Sequence, residues 1–217
     1  MSIAILGLGH YATSWYFSEF NRRFNLSHGG FSTCPILIYN IDFQRINPYL
    51  PHGFEHLTPA IKTIEDEVQH YHIDHWVIPN ITFHEALEMA SCSLPFSNPL
   101  DLAGKKLQKQ GISKAIIFGT RFSMKSVYFK RVFQKYAVEL IPPPLPEFEW
   151  LDEFRTAVYL GENTQEQDAY FEFLVHESSK HDTVIIACTE LSTIPVDSEK
   201  VLDLAQLQIA EALGKLS

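Results

Sequence analysis

Short apolar runs that stop abruptly on small polar residues recur along the chain. The run 183–187 ends on Cys188, and the run 75–78 ends close to Asn80. Four to five consecutive apolar residues are typical of strands that are buried on both faces of a parallel sheet. Because open parallel sheets bind ligands beyond the carboxyl ends of their strands, Cys188 is the best candidate for chemistry. A cysteine at a buried strand end is also a common inert core residue.

The same order of strand, glycine turn and helix occurs twice. The run 3–6 leads into Gly7 and a helical pattern, and the run 114–118 leads into Gly119 and another. Strands that alternate with helices predict parallel sheets. The helical segments predicted are 12–23, 58–72, 83–90, 102–110, 123–136, 165–181 and 198–216, with 142–146 as an extended linker.

This repetition predicts an α/β fold of two pseudo-symmetric halves. Each half is expected to be a mostly parallel sheet flanked by helices, with the active site in the cleft between them. The first half would comprise residues 1–100, completed by the C-terminal helix 198–217. The second would comprise 101–197.

Composition narrows the possible functions. The chain has 217 residues, a net charge of −9 and a pI of about 5.5, with no dense basic patch. We therefore expect no nucleic-acid partner. No apolar run approaches membrane-spanning length, and no charged leader precedes the first strand, so no membrane association is expected. The odd number of cysteines, at no metal-ligand spacing, favours free thiols and a cytoplasmic location.

Two other motifs have simple structural explanations. The pattern Gly7-x-Gly9-x-x-Ala12 partly matches a dinucleotide fingerprint, but Asp42 follows about 30 residues later instead of about 20. A tight glycine turn explains the pattern better. The histidines of 70–75 lack matching carboxylate ligands and precede the strand, so we expect solvated loop histidines and no metal site.

Four motifs in the correct order resemble the aspartate/glutamate racemase superfamily, along nearly the whole chain. Gly7-x-Gly9 resembles the opening of the family's first strand, and 37–43 resembles its second strand. The stretch 118–124 resembles the family's Gly-Thr-Lys-Phe-Thr-Met motif, and 187–191 matches the second cysteine motif in full. The resemblance implies cofactor-independent proton transfer at the Cα of aspartate or glutamate. It also implies a homodimer and a small acidic amino-acid or dicarboxylate substrate.

The departures from the family pattern concern the first cysteine. Where the family reads Cys-Asn-Thr-Ala-His, this chain reads Asn80-Ile81-Thr82-Phe83-His84. A family histidine near the last helix is replaced by Gln208, and the lysine of the third motif by Arg121. The resemblance implies catalytic roles at Cys188, His84 and Asn80. It implies substrate contacts from Gly7, Asn40, Thr82, Gly119, Thr120, Arg121, Thr189 and Glu190.

The missing cysteine leaves three functions open. Racemisation needs a proton acceptor on one face of Cα and a donor on the other, and an amide such as Asn80 can only hydrogen-bond. The first interpretation is an asymmetric racemase or epimerase in which Cys188 is one acid/base and water or His84 replaces the other. The second is a one-cysteine decarboxylase or lyase, similar to arylmalonate decarboxylase. The third is a non-catalytic protein that binds small acids.

Overall fold

A computed structural model describes residues 1–216 as two compact α/β units. The first unit contains Met1–Asn98 together with residues 208–216, and the second contains Pro99–Leu207. This division differs from the predicted one chiefly at residues 198–207, which lie in the second unit. Both units have the parallel sheet and flanking helices that the alternating pattern predicts.

The first unit is built on a three-stranded parallel sheet with strand order β2-β1-β3. All five residues of the central strand β1 are buried, because helices cover both faces of a parallel sheet. The strands are β1 (Ile3–Gly7), β2 (Ile36–Asn40) and β3 (His75–Val77). The helices are α1 (His10–His28), α2 (Thr58–Val68) and α3 (Phe83–Met89).

The second unit is built on a four-stranded parallel sheet with strand order β5-β4-β6-β7. Its strands are β4 (Lys114–Gly119), β5 (Glu139–Ile141), β6 (Thr183–Ala187) and β7 (Val201–Asp203). Its helices are α4 (Pro99–Lys109), α5 (Arg121–Lys125), α6 (Val127–Gln134), α7 (Leu145–Leu160) and α8 (Gln165–Ser179). The last helix, α9 (Leu204–Gly214), begins in this unit and continues into the first.

The two sheets share a topology. In each unit the first strand is central and ends on a glycine, the second strand lies on one side, and the third lies on the other. The carboxyl ends of these parallel strands lie at one edge of each sheet. Residues that follow the strands are therefore neighbours in space within each unit.

Three predicted elements were wrong. The expected linker at 142–146 runs directly into α7, because proline is tolerated in the first turn of a helix. The expected helix 123–136 is divided at Ser126, whose extended ψ of 123° ends α5 and whose side chain caps α6. The expected helix 198–216 begins only at Leu204, since Val201–Asp203 adds a strand to the sheet. Among residues 1–216, no helix combines the length and apolar character that a membrane crossing requires.

Candidate active site

The second unit brings several predicted residues together at two adjacent strand ends. Gly119 at the end of β4 is paired in register with Ala187 at the end of β6. A Cβ atom on Gly119 would lie 2.3 Å from Ser123 Oγ and 3.0 Å from the Ala187 carbonyl oxygen, so a larger residue would push these neighbours apart. Thr120 and Cys188 therefore follow neighbouring strands at the same sheet edge.

Cys188 is held as a thiol by its surroundings. Its side chain is buried, and its Sγ donates a hydrogen bond to Glu190 Oε2 at 2.8 Å. Burial and the negative charge of Glu190 raise the pKa of Cys188 well above its ordinary value. At neutral pH the sulfur therefore carries a proton and faces a carboxylate that can receive it.

Arg155 was not among the site residues predicted from the sequence. It lies on α7, and its positive charge acts on Cys188 in the direction that lowers the thiol's pKa, as does the Glu190 backbone N–H. Its Nε lies 3.5 Å from Asp152 Oδ1. Cys188 is thus subject to two opposing charges, a carboxylate that favours the thiol and a guanidinium that favours the thiolate. The apolar spacing of Phe148, Leu151, Phe154 and Val158 could have revealed α7 from the sequence.

Arg121 is already paired with carboxylates of its own unit. Its guanidinium contacts Glu149 and lies 3.4 Å from Asp152 Oδ2, while its backbone N–H donates to Asp152 Oδ1 at 2.8 Å. Both carboxylates belong to α7. A substrate carboxylate would have to compete with both of them.

The three threonines predicted for the site differ in their side-chain contacts. Thr120 caps α5: its Oγ1 accepts from the Ser123 N–H at 3.0 Å, which is the ordinary structural role of a threonine at this position. Thr82 makes no side-chain cap bond at the start of α3. Thr189 is half-buried directly after Cys188.

In the first unit, the strand ends bring Gly7 and Asn40 together. They are paired in register, and a Cβ atom on Gly7 would lie 2.5 Å from Asn40 Oδ1. Glycine at position 7 therefore lets the amide of Asn40 lie against the end of β1. Gly9, which follows, has a φ of +81°, and Thr13 donates its hydroxyl proton to the Gly9 carbonyl oxygen at 2.7 Å. The glycine pattern thus forms a tight turn.

Asn80 follows β3 on the other side of β1 and is part of the turn that begins α3. Its backbone N–H donates to the Ile78 carbonyl oxygen at 2.8 Å, and its Oδ1 accepts from the Phe83 N–H at 3.0 Å. This is the local side-chain to backbone bonding that asparagine favours at helix starts. The Asn80 side chain therefore stabilises the turn that begins α3.

His84 lies in the core of the first unit. Its ring nitrogen Nε2 is 3.3 Å from the Ile78 carbonyl oxygen, and its ring packs against Phe96 with centroids 5.5 Å apart. Burial lowers the pKa of His84 to about 4. The imidazole is therefore neutral at neutral pH and contacts the segment that carries Asn80.

His75 and Gln208 are also buried. His75 was expected to be a solvated loop residue, and this prediction was wrong: the residue begins β3, paired with Ile3, and is 3% exposed. Gln208 Oε1 accepts from the Tyr16 hydroxyl at 2.9 Å. Within residues 1–216, no group of three or more histidine, cysteine or acidic side chains is arranged to hold a metal ion.

Comparison with known proteins shows the same architecture in racemases. No protein-family model matches the chain. A protein from Yersinia pestis, provisionally named an Asp/Glu racemase, superposes with a TM-score of 0.79 at 21% identity, covering 99% of both chains. An aspartate racemase homologue from Pyrococcus horikoshii gives 0.76 at 17% identity, over 99% of this chain and 98% of that one. The aspartate racemase of Picrophilus torridus gives 0.73 at 19% identity, over 99% and 93%. The chain therefore has the fold of these racemases.

Proposed function

We propose that the protein is a cofactor-independent enzyme of the racemase or epimerase type, which moves a proton at the Cα of aspartate or glutamate. The observation that carries this proposal is the buried Cys188 at the end of β6, with its Sγ 2.8 Å from a Glu190 oxygen. A thiol with an adjacent carboxylate can release and recover a proton without any cofactor. The racemase fold supports the same reaction class.

The proton transfers can be written in balanced form. The Glu190 carboxylate takes the thiol proton, which leaves a thiolate at Cys188 and a neutral carboxylic acid at Glu190. The thiolate then removes the Cα proton of the substrate, and the electron pair of that C–H bond passes into the substrate's α-carboxylate as an enediolate. A proton delivered to the opposite face of Cα, followed by return of the Glu190 proton to solvent, gives the inverted amino acid.

We propose that Arg155 lowers the cost of the charged intermediates. Its guanidinium favours the thiolate over the thiol, and it would stabilise substrate carboxylates near the same strand end. Arg121, whose fork already holds Glu149 and Asp152, then orders α7, which carries Arg155. The remaining substrate contacts are proposed at Gly7, Asn40, Thr82, Gly119, Thr120 and Thr189.

We also propose that Asn80 is the counterpart of Cys188 in the first unit, since each follows the third strand of its unit. Asn80 cannot donate or accept the transferred proton, so the second proton comes from water or from a slower group. The neutral His84 contacts the same segment and is the candidate for that group. The reaction is then asymmetric, with one enantiomer turned over faster than the other.

One observation favours a second function. The pKa of Cys188 is raised well above its ordinary value, mainly by burial, so the resting group is an acid. Such a group suits an enzyme in which loss of CO₂ creates the enediolate and the thiol only has to protonate it. A one-cysteine decarboxylase of disubstituted malonates is therefore the alternative.

The test is incubation of the protein with L- and D-aspartate and L- and D-glutamate in D₂O, with Cα deuterium followed by NMR and chirality by chromatography. We expect deuterium incorporation with inversion, at unequal rates from the two enantiomers. Equal and fast racemisation from both sides would contradict the one-thiol mechanism. No exchange with any acidic amino acid, together with CO₂ release from a disubstituted malonate, would establish the decarboxylase. Saturable binding of these acids with neither reaction would leave a small-acid binding protein.

A homodimer in the cytoplasm is proposed on the family resemblance and on the free cysteines. Sedimentation equilibrium of the purified protein tests the dimer. A mass equal to one chain at all concentrations would contradict it.

A further inference from the structure

The negative charge of the chain is concentrated in one helical pair. Residues 145–179, which include α7 and α8, contain nine of the 26 acidic residues but only one of the 17 lysines and arginines. This segment therefore has a formal charge of −8, whereas the whole chain has −9. The other five-sixths of the protein is close to electrically neutral.

An exposed aromatic cluster lies within this charge. Tyr170 and Phe173 of α8 are 42% and 52% exposed, and their rings stack with centroids 6.1 Å apart. Trp150 of α7 meets Tyr170 edge to face at 4.7 Å. Large aromatic side chains that remain in contact with solvent as a group are typical of interaction sites.

Acidic residues lie within one helical turn of these aromatic residues. Glu166 lies one helical turn before Tyr170, Glu153 lies one turn after Trp150, and Glu172 precedes Phe173. All three are exposed, and among the described residues none of them is in an ion pair with lysine or arginine. We call the six residues Trp150, Glu153, Glu166, Tyr170, Glu172 and Phe173 the acidic aromatic face.

We propose that the acidic aromatic face docks a lysine- and arginine-rich segment of another protein. Cationic side chains gain from the carboxylates and also from the faces of the aromatic rings, at distances of about 6 Å. A second copy of this chain fits poorly, because a two-fold contact would bring together two segments that each keep a charge of −6 (−8 + 2) when their partners Arg121 and Lys180 are counted. The negative charge of this face also repels anionic lipid surfaces.

The test uses a fluorescein-labelled amphipathic helical peptide with lysine and arginine on its polar side, and a matched peptide with glutamine at those positions. Binding is followed by fluorescence anisotropy and by tryptophan emission, to which Trp150 contributes. We expect saturable binding of the basic peptide only, weakening steeply with added salt because exposed charges are screened beyond about 8 Å at physiological ionic strength.

Two variants and their matched controls localise the binding. Phe173→Ser should weaken binding of the basic peptide by about tenfold or more, since aromatic anchors dominate interfaces. The double change Glu166→Gln/Glu172→Gln should weaken it by about threefold to tenfold. The controls, Phe31→Ser and Glu55→Gln, alter exposed residues of the first unit and should leave binding unchanged. Thermal melts should be unaffected, because every altered side chain is exposed.

Several results would overturn the proposal. They are equal binding of the glutamine peptide, equal loss in the control variants, or no saturable binding of the basic peptide. A dimer that dissociates on Phe173→Ser would show a second copy on this face. Binding to phosphatidylserine vesicles that Phe173→Ser abolishes would show a membrane surface.

Discussion

The two third strands, β3 and β6, occupy equivalent places in their sheets but end in different chemistry. After β6, Cys188 donates its thiol proton to Glu190 and lies within the electrostatic influence of Arg155. After β3, Asn80 uses its side-chain oxygen to accept the Phe83 N–H. The side chain that follows β6 can transfer a proton, whereas the side chain that follows β3 stabilises a turn. A shared topology therefore fixes where chemistry can occur but not which chemistry occurs there.

His84, in the first unit, does not supply the missing proton-transfer group in the resting protein. Burial lowers the pKa of His84 to about 4, so its imidazole is neutral and packed in the core. Next to Asn80, the side-chain oxygen accepts from a backbone N–H, whereas Cys188 donates to a carboxylate. The following predictions, from the largest expected effect to the smallest, test this contrast.

Cys188→Ala should reduce Cα exchange by about 10²–10⁴-fold, because it removes the group that transfers the proton. Cys34→Ala and Cys92→Ala should change the exchange rate little. Burial raises the pKa of Cys92 to about 11, which keeps it a thiol near neutrality. Deuterium exchange measured by NMR compares the three variants. An equal loss in Cys92→Ala would mean that the first unit supplies a thiol after all.

His84 should destabilise the fold in acid. Its pKa is about 4 when folded and near 6.5 when unfolded, so the unfolded state binds the proton first as the pH falls. The free energy of unfolding should therefore fall by about 3 kcal/mol as the pH falls from 6.5 to about 4. Above pH 6.5, His84 causes no such loss. His84→Gln should remove this part of the pH dependence in urea unfolding measured between pH 7 and 4.

The same variant separates two roles of His84. If His84 only packs in the core, His84→Gln at pH 7 should lower the rate of Cα exchange roughly in proportion to any loss of folded protein. A large loss of exchange from a fully folded variant would instead identify His84 as the second proton-transfer group.

Glu190→Gln and Arg155→Gln should move the pKa of Cys188 in opposite directions. Removing the carboxylate removes a cause that raises the pKa, so the thiolate should form at lower pH; removing the guanidinium should have the reverse effect. Thiolate absorbance near 240 nm during a pH titration measures both, with Cys188→Ala as the blank. Exchange should fall by about tenfold or more in each. Shifts of the same sign would contradict the proposed opposition.

Asn80→Cys should raise the slower direction of turnover by about threefold to tenfold, because it supplies a proton-transfer group on the missing side. It should also cost about 1 kcal/mol of stability, since the Phe83 N–H loses its side-chain acceptor. Asn80→Ala has the same stability cost without the thiol and is the matched control. An equal rate in both variants would mean that a thiol at position 80 takes no part in proton transfer.

Much of the fold could be read from the sequence because most of its strands, β7 excepted, lie in apolar runs. The predicted strands, the glycine that ends each central strand and the two-part organisation are local patterns, and the structure confirms the α/β fold they imply. The position of Cys188 after β6 followed from the same pattern. Local hydrophobic pattern determines which segments form buried strands because burying apolar surface is the dominant favourable term in folding.

The tertiary structure decided what the polar side chains touch. The sequence could not show that Glu190 accepts from Cys188, that α7 brings Arg155 near the same thiol, or that Arg121 is occupied by Glu149. The contacts of Arg155 and Arg121 join residues from separate elements, and the charge state of Cys188 depends on burial and on distances of a few ångströms. Sequence determined the strands and their ends; packing determined which side chain at those ends can carry a proton.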